Sequence, residues 1–129
     1  MKKILIVTAN YYPKIAEGLL KSCEKVLLKK YIFDKKIAPG SFEIPGLISK
    51  NIKNYDGFIA LGCIIKGKTP HFDFISKSIN YGLMKISIED KKPIGNGILT
   101  CLNKNQATQR LDKGEEAAKA VHAVLEIDN

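Results

Sequence analysis

Apolar runs of strand length alternate with apolar residues at helical spacing along the chain. Residues 3–8 form an unbroken β-rich run, and after an interruption at 10–13 apolar side chains recur every three or four residues up to Leu27. A second short run at 31–37 is followed by helical spacing over 44–52. The pattern predicts two successive units of strand, loop and helix.

The second half of the chain repeats this alternation. Residues 57–65 are apolar on both alternations, as is typical of a strand buried on both faces, and a helical pattern follows from Phe72 to Ile86. A fourth strand is expected at 94–102, with helical stretches at 106–111 and 113–127. Four such units without hairpin signals predict an α/β fold, a three-layer sandwich with a four-stranded parallel sheet, flavodoxin-like. At 129 residues, a single domain over 1–129 is expected.

Composition narrows the class of protein. With 45% hydrophobic and 26% charged residues the chain is typical of a soluble globular protein, and no apolar run approaches the ~20 residues that span a bilayer, so no membrane partner is expected. Cys23, Cys63 and Cys101 show no C-x-x-C spacing, which favours reduced, buried thiols and a cytoplasmic location. His71 and His122 lie far apart, so no metal site is expected.

The net charge of +8 raises the question of an anionic partner. Lysines are scattered without runs longer than two and without interleaved aromatic residues, which favours a solvated surface over nucleic-acid binding. Only the net charge therefore supports the alternative interpretation, a lysine-rich nucleic-acid-binding protein. Arg110 is the one arginine among 21 basic residues, which suggests a place where planar, two-pronged anion recognition is needed.

Residues 62–69 match the P-loop pattern G-x-x-x-x-G-K-T. A phosphate-cradling loop needs conformations that β-branched residues resist, yet Ile64 and Ile65 continue an apolar strand. Pro70 also removes an N–H where the first helical turn would offer one. An ATP- or GTP-using enzyme is the weakest of the alternatives.

The same segment fits a smaller phosphate site at a helix start. Lys68 and Thr69 offer N–H groups there, and the helix dipole also favours an anion. Pro70 suits the first turn of that helix. His71 then lies beside the phosphate, with a side chain that exchanges protons near neutral pH.

Two further loops follow predicted strands at the edge where parallel sheets bind ligands. Ser41 and Glu43 are suited to holding a polyhydroxy ligand by hydrogen bonds, although Ser41 is equally expected to cap a helix. Tyr11 and Tyr12 are expected to stack on a flat heterocycle or to cover the edge of the sheet.

Several blocks of the chain resemble the lumazine synthase family. Residues 40–45 and 60–74 carry the likeness most strongly, and residues 93–100, Gln106-Ala107 with Arg110, and 113–118 follow in the family's order. Together these blocks cover nearly the whole chain, and the block at 60–74 is highly specific.

The resemblance implies condensation of 5-amino-6-(D-ribitylamino)uracil with 3,4-dihydroxy-2-butanone 4-phosphate to 6,7-dimethyl-8-ribityllumazine, without metal or organic cofactor. It also implies a homo-oligomer, a pentamer with active sites between subunits. His71 would be the catalytic proton shuttle. The implied substrate-binding residues are Tyr11, Ser41, Phe42, Glu43, Ile64, Ile65, Lys68 and Thr69 from one chain and Asn96, Arg110 and Lys113 from its neighbour.

Two positions depart from the family pattern. Asn96 stands where many members have an aromatic residue, so polar contact is expected to replace stacking. The link from Arg110 to Lys113 is shorter than in many members, which predicts pentamers or pairs of pentamers rather than a capsid. The related archaeal-type riboflavin synthase shares the fold but joins two lumazines, and it would not need Arg110 to hold a phosphate.

Overall fold

The fold is a parallel sheet between two layers of helices, and the computed structural model describes residues 1–127. The four strands lie in the order β2-β1-β3-β4 and all pair in parallel, which confirms the predicted flavodoxin-like α/β architecture. No helix in the described part of the chain has the length and apolar character needed to cross a membrane. The strands are β1 (Lys3–Ala9), β2 (Ile32–Ala38), β3 (Gly57–Ile65) and β4 (Ile94–Cys101), and the helices are α1 (Pro13–Leu27), α2 (Ile44–Lys50), α3 (His71–Glu89), α4 (Lys104–Thr108) and α5 (Lys113–Ile127), with 3₁₀ turns at Ser41–Glu43 and Ile52–Asn54.

Alternation along the central strands divides the core into two layers. Ile4 and Ile6 of β1 face α1 and α5, whereas Leu5 and Val7 face α2 and α3, and all four are fully buried. Each such side chain contributes roughly 1.5–3 kcal/mol relative to an exposed one. The two-sided burial predicted for residues 57–65 is confirmed, because β3 contributes to both layers.

Helices α1 and α5 approach closely where α5 begins. A Cβ atom on Gly114 would overlap the carbonyl oxygen of Leu19, so only glycine fits at this crossing. The Ser22 hydroxyl donates to the carbonyl of Leu111 at 2.7 Å and accepts the N–H of Glu115 at 3.1 Å. The short link between α4 and α5 is thereby fastened to α1.

At two of the helix boundaries that differ from the sequence prediction, asparagine side chains bond to the backbone. The stretch predicted at 106–111 begins instead at Lys104, since Asn103 Oδ1 accepts the N–H of Gln106 at 2.9 Å. At the end of α2, the Asn51 side chain donates to a carbonyl of the last helical turn, and the chain beyond it forms a 3₁₀ turn rather than more α-helix. Sequence periodicity does not detect such local bonds.

The three cysteines are free and buried, as predicted. Burial raises the pKa of the Cys23 thiol to about 12. This thiol is therefore protonated at neutral pH and packs as a small apolar side chain.

Candidate active site

A cleft of about 370 Å³ opens at the carboxyl ends of β1 and β3. These two strands are the switch point of the sheet, from which the chain continues outward to β2 on one side and β4 on the other. Ligands bind at this place in open parallel sheets. The cleft is lined by Tyr11, Tyr12, Gly40, Ser41, Phe42, Cys63, Ile64, Ile65, Gly67, Thr69, His71, Phe72 and Ile75.

Ser41 lies on the floor of the cleft against β3. It is buried, and a Cβ atom on Gly62 would come within 2.7 Å of its Oγ atom. The expectation that Ser41 caps a helix is wrong, since Glu43 occupies the N-cap position of α2 and no side chain makes a capping bond there. Glu43 is exposed beside the cleft, with its Oε1 atom near the Cα of Gly40. It does not line the cavity itself.

The turn before α3 forms another wall. Thr69 Oγ1 accepts the N–H of His71 at 3.4 Å, and both residues line the cleft. Pro70 was expected inside the first helical turn, but it occupies the N-cap position immediately before it. Lys68 is exposed in the same turn and lies outside the lining. The described geometry therefore places a hydroxyl and an imidazole, rather than the lysine, at the cavity wall.

The P-loop pattern does not form a phosphate cradle. Residues 62–65 lie within β3, and the N–H of Lys66 extends the pairing by donating to the carbonyl of Cys101 at 2.9 Å. Within residues 1–127 no glycine has a positive φ. The glycine-dependent loop of a nucleotide-binding site is therefore not formed.

Two tyrosines, Phe42 and Phe72 supply the aromatic part of the cleft. Tyr11 is 72% exposed, whereas Tyr12 is half-buried against the core layer of α1 and α5. Their ring centroids are 4.9 Å apart at an interplanar angle of 78°. Burial, followed by the charges of Tyr11 and Cys63, raises the pKa of the Tyr12 phenol, which is therefore neutral at physiological pH. Such a wall offers ring surface to a flat ligand.

Three lining side chains were absent from the sequence-based prediction: Cys63, Phe72 and Ile75. Phe72 and Ile75 are three positions apart in the sequence, so they lie on one face of α3. Burial and the neighbouring Cys101 raise the pKa of the Cys63 thiol to about 11, so it is protonated at neutral pH. Helical spacing from His71 could have indicated Ile75, but no sequence signal separates Cys63 from an ordinary core cysteine.

Asn96, Arg110 and Lys113 do not line the cleft of their own chain. Asn96 lies midway along β4, where its Oδ1 atom accepts the N–H of Ile98 at 3.1 Å and its Nδ2 atom donates to Asn80 at 2.9 Å. Arg110 is exposed, and its carbonyl accepts the N–H of Lys113 at 3.1 Å in the turn before α5.

The sheet order and the switch-point cleft define a flavodoxin-like α/β protein, with a cleft at the place where open parallel sheets commonly bind ligands. The sequence model of the 6,7-dimethyl-8-ribityllumazine synthase family matches residues 1–129. Relatives with that name come from Bartonella tribocorum (38% identical over 95% of this chain and 87% of the relative), Agrobacterium fabrum (37%, 96% and 93%) and Cutibacterium acnes (36%, 95% and 80%). The chain therefore belongs to the 6,7-dimethyl-8-ribityllumazine synthase family.

Proposed function

We propose that this cleft condenses 5-amino-6-(D-ribitylamino)uracil with 3,4-dihydroxy-2-butanone 4-phosphate to 6,7-dimethyl-8-ribityllumazine, which makes the protein a transferase of riboflavin biosynthesis. The observation that carries the proposal is the assembly of an exposed tyrosine, a buried serine and the Thr69–His71 turn around one cavity of the appropriate family fold. The reaction needs no metal or organic cofactor. The three buried free thiols support the expected cytoplasmic location.

His71 is proposed to move protons during the reaction. The pyrimidine amine attacks the ketone to give a Schiff base, phosphate is then eliminated, and ring closure follows, with loss of water in the first and last steps. Schiff-base formation and ring closure transfer protons between nitrogen and oxygen, whereas elimination of phosphate removes a proton from the carbon next to the imine. An imidazole can both accept and return protons near neutral pH. The exposed position of His71 at the cavity wall supports this role.

The other residues around the cavity are proposed to bind and orient the substrates. The exposed ring of Tyr11 is suited to stacking on the pyrimidine, and a buried hydroxyl at the floor is suited to the ribityl chain. N–H groups at the start of α3 are suited to the phosphate. Accordingly, Tyr11, Ile64 and Ile65 would contact the ring, Ser41, Phe42 and Glu43 the ribityl chain and its surroundings, and Lys68 and Thr69 the phosphate.

Residues of a neighbouring chain are proposed to complete each pocket. Arg110 would bind the substrate phosphate, with Asn96 and Lys113 nearby, and the position of all three outside their own cleft supports this division. Asn96 already makes two hydrogen bonds within its chain but retains a second N–H and a second acceptor site on its amide. Its contribution to the neighbour is therefore polar rather than stacking.

An apolar stripe on α3 supports assembly into a pentamer. Phe74, Tyr81 and Ile88 recur every seven residues, Met84 lies between them, and each is at least 60% exposed. Side chains at this spacing share one helix face. We call these four residues the α3 stripe and propose that it is buried between subunits.

Replacing Met84 in the α3 stripe by glutamate is expected to dissociate the assembly into monomers of 14.3 kDa, because a charge buried without a partner opposes association. Light scattering measures the change, and condensation activity should fall with it because the sites are shared. Leu28→Glu is the matched control, since Leu28 is equally exposed but lies after α1, outside the stripe. Loss of assembly with Leu28→Glu, or none with Met84→Glu, would contradict the proposed interface.

His71→Ala is expected to reduce kcat by about ten- to a hundredfold, because proximity and orientation supply part of the acceleration without an acid–base group. Lumazine absorbance measures the rate. His122→Ala is the control, because His122 bonds to Tyr31 at 2.6 Å on the α1 and α5 side and lies outside the cleft lining. Equal losses from both substitutions would argue against a proton shuttle at His71.

The direct test of function mixes the protein with both substrates and follows lumazine absorbance and phosphate release. Acceleration over the spontaneous condensation is expected. A riboflavin synthase would instead consume 6,7-dimethyl-8-ribityllumazine, and a nucleic-acid-binding protein would bind RNA in a salt-sensitive manner that is indifferent to His71. Either result without condensation would overturn the proposed function.

A further inference from the structure

Tyr12 has no role in the proposed reaction, although it lines the cleft beside the proposed stacking residue. Resting on the proposed function, we propose that Tyr12 is a positioning residue, which holds the ring of Tyr11 for stacking on the pyrimidine and is itself held by Lys104 of α4.

Tyr12 is fixed in a way that Tyr11 is not. It is half-buried against the core layer of α1 and α5, and its carbonyl accepts the N–H of Ala16 at 2.9 Å at the start of α1. Pro13 restricts the backbone immediately after it. Tyr11, by contrast, is 72% exposed. A ligand that stacks on an exposed, unrestrained ring must first order that ring, which weakens binding.

The contact between the rings of Tyr11 and Tyr12 fixes the orientation of the Tyr11 ring. The centroid distance of 4.9 Å and the angle of 78° are the edge-to-face geometry that aromatic pairs prefer. In a T-shaped pair the edge of one ring contacts one face of the other, so at least one face of the Tyr11 ring stays available for stacking on a ligand. The contact therefore orients Tyr11 without consuming its stacking surface.

A second groove explains why Tyr11 needs restraint. This groove, of about 610 Å³, is lined by the same two tyrosines together with Lys104 and Thr108 of α4. The tyrosine pair thus separates two open spaces, and an unrestrained Tyr11 ring could turn away from the cleft into the second groove. Restraint of the pair keeps the ring on the catalytic side.

Lys104 restrains the Tyr12 ring from the side of α4. Its Nζ atom lies 5.4 Å from the centroid of the Tyr12 ring, within the range of a cation–π interaction. The chain on either side of Lys104 is held by reciprocal bonds. The Asn103 side chain accepts the N–H of Gln106, and the Gln106 side chain accepts the N–H of Leu102 at 2.7 Å. The local capping that moved the start of α4 to Lys104 therefore also places this cation over the ring.

The first test compares Tyr12→Leu with Tyr12→Phe. Leucine keeps much of the apolar packing but removes the ring, so the KM for the ribitylaminouracil is expected to rise about tenfold, with a smaller change in kcat and none in the KM for the butanone phosphate. Phenylalanine should preserve wild-type values, because neither the edge-to-face contact nor the cation–π interaction uses the hydroxyl. Quenching of lumazine fluorescence on binding reports the same stacking directly.

The second test links Lys104 to Tyr12 by a double-mutant cycle. Lys104→Met keeps the apolar stem and should raise the KM for the pyrimidine about two- to fivefold. In a chain that already carries Tyr12→Leu, the same change should have no further effect. Tyr31→Leu and Lys25→Met are the controls, because Tyr31 is half-buried against the same core layer but outside the cleft lining and Lys25 is an exposed lysine of α1.

Three results would overturn the positioning role. These are an equal rise in both KM values for Tyr12→Leu, failure of Tyr12→Phe to preserve binding, and an equal effect of Tyr31→Leu. Failure of the proposed function is distinct from these, since it appears as absence of condensation by the unaltered chain.

Discussion

Arg110→Ala is expected to lower kcat/KM for the butanone phosphate about a hundredfold, because two charge-assisted hydrogen bonds to one phosphate are lost together. Arg110 is exposed in the turn before α5 and lies outside its own cleft, so the substitution should leave folding intact. The rate of lumazine formation at varied concentrations of each substrate measures the effect. Unchanged kinetics would show that Arg110 does not belong to the active site.

Arg110→Lys distinguishes the contribution of the planar guanidinium geometry from that of the positive charge. Lysine keeps the positive charge but loses the planar fork, so the KM for the butanone phosphate should rise far more than that for the pyrimidine. Equal increases in the two KM values would contradict a bidentate grip on phosphate.

A complementation experiment tests which chain supplies the arginine. An Arg110→Ala chain retains an intact cleft, whereas a Ser41→Arg chain fills the cleft floor but retains Arg110. Coexpressed in equal amounts, they should form about a quarter of their sites from an intact cleft and a neighbour's arginine, because each interface pairs different surfaces of two chains. Alone, the Arg110→Ala chain should retain about a hundredth of the kcat/KM for the butanone phosphate, and the Ser41→Arg chain should be inactive. No recovery in the mixture would mean that Arg110 serves its own cleft.

The fold could be predicted where burial dominates the sequence pattern. The limits predicted for β3, 57–65, coincide with those of the structure because two-sided burial leaves an unbroken apolar run. The limits of α4 could not be predicted, because this helix has five residues and its start depends on side-chain bonds of Asn103 and Gln106. Periodicity over such a short element carries little information.

The candidate site was predictable as a set of loops but not as a set of contacts. Because parallel strands end at one edge, residues after β1, β2 and β3 were expected to meet, and Tyr11, Ser41 and Thr69 do line one cavity. The capping expectation for Ser41 failed because Glu43 occupies the N-cap position of α2, while the Ser41 hydroxyl lies in the space left by the missing side chain of Gly62 in β3. The position of Cys63 likewise depends on tertiary packing.

Gly114→Ala is expected to lower the free energy of unfolding by about 3 kcal/mol, because its Cβ atom would overlap the backbone of Leu19 and force α1 and α5 apart. Backbone cannot move aside as a flexible side chain can. Separation of the helices would also break the two hydrogen bonds of Ser22 that fasten the link before α5. Urea unfolding measures the loss, and the melting temperature should fall by about 10 °C.

Gly46→Ala is the matched control for the same chemical change. Gly46 lies in α2, and nothing lies within 4 Å of the Cβ position, so alanine should be neutral or stabilise the helix by about 0.5 kcal/mol. If Arg110 works from the fastened link, Gly114→Ala should also raise the KM for the butanone phosphate under conditions where the chain remains folded, while Gly46→Ala should not. A Gly114→Ala chain that is destabilised yet kinetically normal would show that the link positions Arg110 independently of its attachment to α1.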